Sequence, residues 1–269
     1  MEILGIDFTS KPTRRKPITC LHCSFEDSVL QAKNEESWSD FTGFEHALRR
    51  PGPWVAGIDF PFGQSLRFIE NIQWPRNWEQ YVRHAASLGR SGFREALNRY
   101  REIRLRGDKE HRRKTDVEAC SISPQKLYGV PVALMFFEGA PRLLEANVFL
   151  PGIRENKSDR VVVEAYPGVL ARHLVDRNSY KQDTKKLQTE AQAITRNEIF
   201  SNLSSKKFYN AYGFKVEASS KLCDDPSGDR LDALLCAIQA AWAYTKKDTN
   251  YGAPKYDTSI EGWIAYPRE

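Results

Sequence analysis

The chain has 269 residues, a formal net charge of +5, and 41% hydrophobic against 28% charged residues. That is an ordinary globular composition with enough length for a substantial core, and it excludes a fibrous or disordered chain. No apolar run approaches the ~18 residues that cross a bilayer, and the N-terminus enters a strand directly, so no membrane span or leader is expected. Five widely spread cysteines fit a reduced, cytoplasmic protein.

In chain order, Glu2–Phe8 reads as a short buried strand ending in Gly5-Ile6-Asp7-Phe8. Thr9–Lys16 is a polar, basic turn. Pro17–Phe25 and Ser28–Asn34 read as strands joined at Glu26-Asp27. Cys20 and Cys23 form the only C-x-x-C, and without a second ligand pair they read as strand residues rather than a zinc site. Ser39 or Asp40 caps a helix with Phe41, Phe44, Ala47 and Leu48 on one face, and Pro51-Gly52-Pro53 stops it. Trp54–Phe60 then repeats the first strand's ending as Gly57-Ile58-Asp59-Phe60.

From about 62 to 157 the pattern becomes helical. Trp78, Tyr81, Val82 and Ala85 mark one helix, and Phe93, Ala96, Leu97, Tyr100 and Ile103 a second capped by Ser91. Val132–Phe137 begins a third apolar segment, which resumes beyond Pro141. This block reads as a helical insertion in a single domain spanning 1–269. Arg160–Tyr166 is another buried strand, with Glu164 near its end. A helix through Leu170 and Leu174 follows it. Thr184–Leu203 reads as an amphipathic helix with Leu187, Ala191 and Ile194 inward. The last helix runs from Ser227 to about Thr245, with Leu231, Leu234, Leu235, Ile238 and Trp242 as its buried stripe. Ser259–Tyr266 reads as an ordered strap.

Asp7, Asp59 and Glu164 each end an apolar run, where a lone charge is costly unless paired or metal-bound. Asp232 and Asp229 share a face at the start of the last helix. If the strands lie side by side, these carboxylates meet at one sheet edge, and clustered carboxylates do not all stay ionised without cations. Oxygen-only donors suit Mg²⁺ or Mn²⁺, and a two-metal carboxylate site hydrolyses phosphodiesters. The five histidines lie beside no motif. The residues after Asp7 (Phe8-Thr9-Ser10-Lys11) lack the glycine-rich phosphate loop of an actin-like or sugar-kinase-type phosphotransferase, which places that reading third.

The order of these elements and acids resembles the ribonuclease H-like fold, an α/β class with a mixed sheet and flanking helices. More narrowly, Gly57-Ile58-Asp59-Phe60-Pro61, Val163-Glu164-Ala165-Tyr166-Pro167, Asp232-Ala233-Leu234-Leu235-Cys236-Ala237 and Glu261-Gly262-Trp263-Ile264 resemble the domain of unknown function 429 family. That resemblance implies a metal-dependent nuclease with Asp7, Asp59, Glu164 and Asp232 as the catalytic and metal-binding acids. Asp229 stands where the family pattern commonly has a His, which leaves open whether it is a ligand, a supporting group or a helix-start acid. The alternative is a non-catalytic nucleic-acid or partner-binding module on the same fold.

Arg101–Lys114 carries most of the net positive charge. Next to a phosphodiester site it becomes a candidate grip on a nucleic-acid backbone, through Arg101, Arg104, Arg106, Arg112, Arg113 and Lys114.

Overall fold

The computed structural model describes residues 1–268. Strands β1 (Glu2–Asp7), β2 (Ile18–Glu26) and β3 (Val29–Trp38) form an antiparallel meander. Helix α1 (Phe41–Arg49) leads back to β4 (Trp54–Ile58), which pairs parallel to β1, and β5 (Arg160–Glu164) pairs parallel to β4. A three-residue strand, β6 (Lys215–Glu217), adds to the far edge. The order across the mixed sheet is β5-β4-β1-β2-β3-β6. The central strands β1 and β4 are buried almost throughout, which explains their continuous apolar sequence.

Each face of the sheet is covered. On one side, Leu4, Ile6, Ala56 and Ile58 pack against α1 and the helices of the middle of the chain: α2 (Leu66–Asn71), α3 (Trp78–Ser87), α4 (Gly89–Glu102), α5 (Lys114–Glu118) and α6 (Val132–Ala146). On the other, Ile3, Val55, Val161 and Val163 meet α7 (Pro167–Val175), α8 (Glu190–Asn202), α9 (Lys206–Tyr212) and the long α10 (Asp229–Thr245). The middle helical block is thus one of the two layers over the sheet. Among the described residues, no helix is long and apolar enough to cross a membrane.

Several local expectations change. β3 runs on to Trp38 despite Glu35 and Glu36, because its second half is held by the first half of β2. Helix α8 begins only at Glu190, where Thr189 and Gln192 form a capping box. Its inward face is also corrected: Leu187 and Ile194 are more than half exposed, while Thr195, Arg196 and Ile199 are buried. Arg196 faces inward because it donates to the carbonyls of Cys223 at 2.8 Å and Tyr180 at 2.9 Å. β6 carried no sequence signal, being short and largely exposed.

Candidate metal centre

Asp7 closes β1 and Asp59 follows β4, two parallel neighbours in which Ile6 faces Ile58. The Asp59 N–H donates to the Ile6 carbonyl at 3.0 Å, extending the ladder to the acidic pair. Asp232 lies in the first turn of α10 and is fully buried. What brings α10 onto the strands is the absence of side chains at two glycines. A Cβ at Gly5 would stand 1.9 Å from the Ala233 carbonyl oxygen, and one at Gly57 would stand 2.3 Å from that of Cys236. The helix backbone therefore rests directly on β1 and β4. Asp7, Asp59 and Asp232 each offer an oxygen, all within 4.8 Å of one another.

The electrostatics of this triad are unfavourable for three free carboxylates. Burial pushes the Asp7 carboxyl well above the ordinary range, and Asp232, Asp229 and Asp59 push it further while Lys181 opposes. Asp59 is pushed up to about 7, again chiefly by burial, with Lys181 opposing and Asp232 and Glu164 adding. Asp229, half-buried in the same turn of α10, is raised by burial with Lys16 opposing. Asp232 is differently placed. Its Oδ1 accepts from the Tyr180 hydroxyl at 2.6 Å, and its Oδ2 is ion-paired with Lys181 Nζ. The Lys181 side chain is 43% exposed along its length, so it reaches the acids from the surface.

A divalent cation fits this donor set. The ligands are hard carboxylate oxygens, they converge, and Asp7 and Asp59 have no dedicated cation of their own. Asp7, Asp59 and Asp232 are the residues able to hold it, with Asp229 at the margin.

Glu164 lies elsewhere. It ends β5 opposite Ile58, but both its oxygens are taken by Arg113, at 2.5 and 2.7 Å, and Oε2 also accepts from the Phe62 N–H at 2.8 Å. Arg113 in turn is clamped by Asp116 at 2.8 Å and donates to the Glu261 carbonyl of the C-terminal strap at 3.0 Å. The structure does not bring Glu164 into the group of three; it ties the insertion and the strap to the sheet.

The basic run is also corrected. It is not a helix face: α4 ends at Glu102 and most of the run is irregular. Arg113 is 1% exposed and unable to reach a backbone phosphate. Arg101 pairs with Glu110 at 3.2 Å and Arg104 with Asp108 at 2.5 Å. Lys114 lies over the Tyr256 ring. Arg106 and Arg112 are exposed. Only Arg112 borders the acidic centre, on a groove of about 650 Å³ that also includes Asp59, Arg172, Arg177 and Lys181. The last three are cations that the sequence did not single out. They sit on α7 and the irregular segment after it, without a motif to mark them.

The family model for "Protein of unknown function (DUF429)" matches residues 5–255. The chain belongs to that family. No curated protein and no solved structure matches it. The match to the DUF429 family spans every acid discussed above, so the triad is a feature of the matched region rather than of an appended segment.

Proposed function

We propose that this DUF429 protein is a divalent-metal-dependent nuclease built on a ribonuclease H-like fold. The observation that carries this reading is the convergence of Asp7, Asp59 and Asp232 from two adjacent parallel strands and a late helix. The sheet order supports the fold assignment, since a three-strand antiparallel meander is followed by parallel β4 and β5 on the β1 side. The site also lies beyond the C-terminal ends of parallel strands, where α/β sheets bind ligands. All five cysteines are free, which suits the reducing cytoplasm.

In this reading Asp7, Asp59 and Asp232 hold Mg²⁺ or Mn²⁺, which supplies charge neutralisation and Lewis acidity at the phosphodiester. Asp7 and Asp59, standing on the rigid central strands, fix the position of the scissile group. Tyr180 orients Asp232 through its hydroxyl, and Arg196 holds the Tyr180 carbonyl from behind. Lys181, at the edge of groove and triad, is placed to contact a phosphate oxygen when it leaves Asp232.

The test is a cleavage panel of single- and double-stranded DNA and RNA with Mg²⁺ or Mn²⁺. Cleavage by wild type, its loss in EDTA, and a fall of orders of magnitude for folded Asp7→Asn are the expected results. A folded wild type that cuts nothing on the panel ends the proposal. The Lys181–Asp232 ion pair favours a second reading, a non-catalytic binding module whose acids are neutralised from within. That reading requires calorimetry to show no uptake of Mg²⁺ or Mn²⁺.

A further inference from the structure

Two hollows meet at Asp59, Tyr166 and Lys181. One is the cationic groove, in which Asp59 and Asp176 are the acids set against Arg112, Arg172, Arg177 and Lys181. Arg112 and Arg177 are exposed and have no ion-pair or hydrogen-bond partner among the described residues. Unpaired surface arginines beside an acidic centre are free to take phosphates. The other hollow is a pocket of about 220 Å³ with apolar walls of Phe60, Pro61, Ile122, Val130, Val132 and Met135. Its ionic floor, Glu164, Arg113 and Asp116, is already saturated internally. Ile122 and Val130 are 43% and 57% exposed, so the rim offers uncovered apolar surface.

Tyr166 stands between the hollows and is held in place. Its N–H donates to Gln239 Oε1 at 3.0 Å, and Gly168 lies so close that a Cβ there would come within 2.7 Å of the ring. A ligand served by both hollows carries phosphates along one side and a flat apolar group on the other. A nucleotide has that form. In an intact duplex the base is stacked and paired and cannot enter such a pocket, whereas an unpaired base can turn out of the strand.

We infer that the substrate is a single-stranded nucleic acid, one unpaired base of which seats in the apolar pocket against Tyr166 while its backbone passes Asp7, Asp59 and Asp232 towards Arg112 and Arg177. The inference rests on the nuclease reading of the same centre. Base seating gives affinity that tolerates sequence, since any base presents an apolar face. The groove contributes the part that depends on salt.

The test is fluorescence anisotropy in Ca²⁺ with three probes of equal length: labelled oligothymidylate, an abasic sugar-phosphate strand, and a duplex containing the thymidylate strand. Wild type binds oligothymidylate on the order of tenfold tighter than the abasic strand, and tighter than the duplex. The exposed double variant Ile122→Ser/Val130→Ser narrows that ratio and leaves abasic affinity unchanged. Tyr166→Ala narrows it and Tyr166→Phe preserves it. Arg112→Ala/Arg177→Ala weakens both single strands by the same factor and flattens the salt slope by roughly 0.7 for each phosphate no longer neutralised. Equal affinity for thymidylate and abasic strands overturns the inference. So does a duplex bound as tightly as the single strand, or a ratio unmoved by the serine variants. Binding with these preferences but no cleavage in Mg²⁺ or Mn²⁺ sinks the nuclease reading alone. Cleavage without base preference sinks the base pocket alone.

Discussion

The charge state of Asp59 makes a stability prediction that separates a metal centre from a self-neutralised one. Its carboxyl rises from 3.8 to about 7 on folding, because burial disfavours the anion and Asp232 and Glu164 repel it. A raised acid binds its proton more tightly in the folded state. The folded protein therefore holds more protons than the unfolded chain between those two values, and stability falls as pH rises through that window. At about 1.4 kcal/mol per pH unit the rise sets an upper bound of about 4 kcal/mol. Asp59 is half-buried rather than sealed, and solvent screening reduces this to about 2 kcal/mol. For a chain of this size that corresponds to about 5 °C in Tm.

Asp59→Asn keeps the shape and removes the charge. In EDTA its Tm matches wild type near pH 4, and its advantage grows to about 5 °C as pH rises to about 7, then levels off. Acids elsewhere whose ionised form is favoured by partners, such as Glu36 beside Arg50, titrate in both proteins and cancel in the difference. Saturating Mg²⁺ above pH 7 closes or reverses the gap, since an ion at about a hundred times its Kd adds about 2.7 kcal/mol to the wild type. Differential scanning fluorimetry over pH, with and without Mg²⁺, measures both effects. A Tm difference independent of pH shows that Asp59 is an ordinary ionised turn residue. A gap that Mg²⁺ leaves open shows that the triad does not use that ion.

Two structural predictions follow from the same site. Arg113→Met strands Glu164 and Asp116 without their cation in the interior and costs about 3–5 kcal/mol, read as a lower urea midpoint at unchanged m-value. Gly5→Ala drives a Cβ into the α10 backbone, with Ala233 O at 1.9 Å and Ala237 N at 2.4 Å, and costs about 1–3 kcal/mol. It also weakens Mn²⁺ binding by calorimetry by lifting Asp232 off the strands. Gly92→Ala in α4, where the nearest neighbour is the Leu88 Cβ at 3.4 Å, serves as the control and is neutral or stabilising.

The parts of the sheet that sequence reveals are those buried on both sides. β1, β4 and β5 are short and apolar throughout, and each ends in or runs straight into an acid, so their kinship is visible residue by residue. The placement of Asp7 beside Asp59 follows from that pattern and agrees with the strand register. The role of Glu164 was hidden because its partner is 51 residues away, in a run whose composition looks like solvated surface. The exposed half of β3 and all of β6 lack apolar alternation and exist only through their neighbours. Lys181 and Tyr180 lie in an irregular polar segment where no periodicity assigns a face. Arg196, which secures that segment, sits on a helix face where an arginine ordinarily meets water.

The two buried ionic groups differ in a way that bears on function. Arg113 meets Glu164 and Asp116 with a full fork of hydrogen bonds, and backbone and hydroxyl donors from Phe62 and Ser121 complete both carboxylates. That group is closed: its charges are met by groups fixed in the interior, and it offers nothing to a ligand. At the other, Lys181 is the ammonium set among Asp7, Asp59 and Asp232, and it is bonded to Asp232. Its side chain reaches in from the surface, and its flexible stem makes it easy to displace. Charge left unmatched in a buried site is relieved by taking up a proton or a cation. Protonation answers this at low pH. Near neutrality, where Asp59 begins to ionise, a cation becomes the more favourable answer, and the converging oxygens favour a small, hard, doubly charged one. The asymmetry between a satisfied acid on β5 and unsatisfied acids on β1 and β4 therefore places the chemistry over the two central strands, beneath the start of α10.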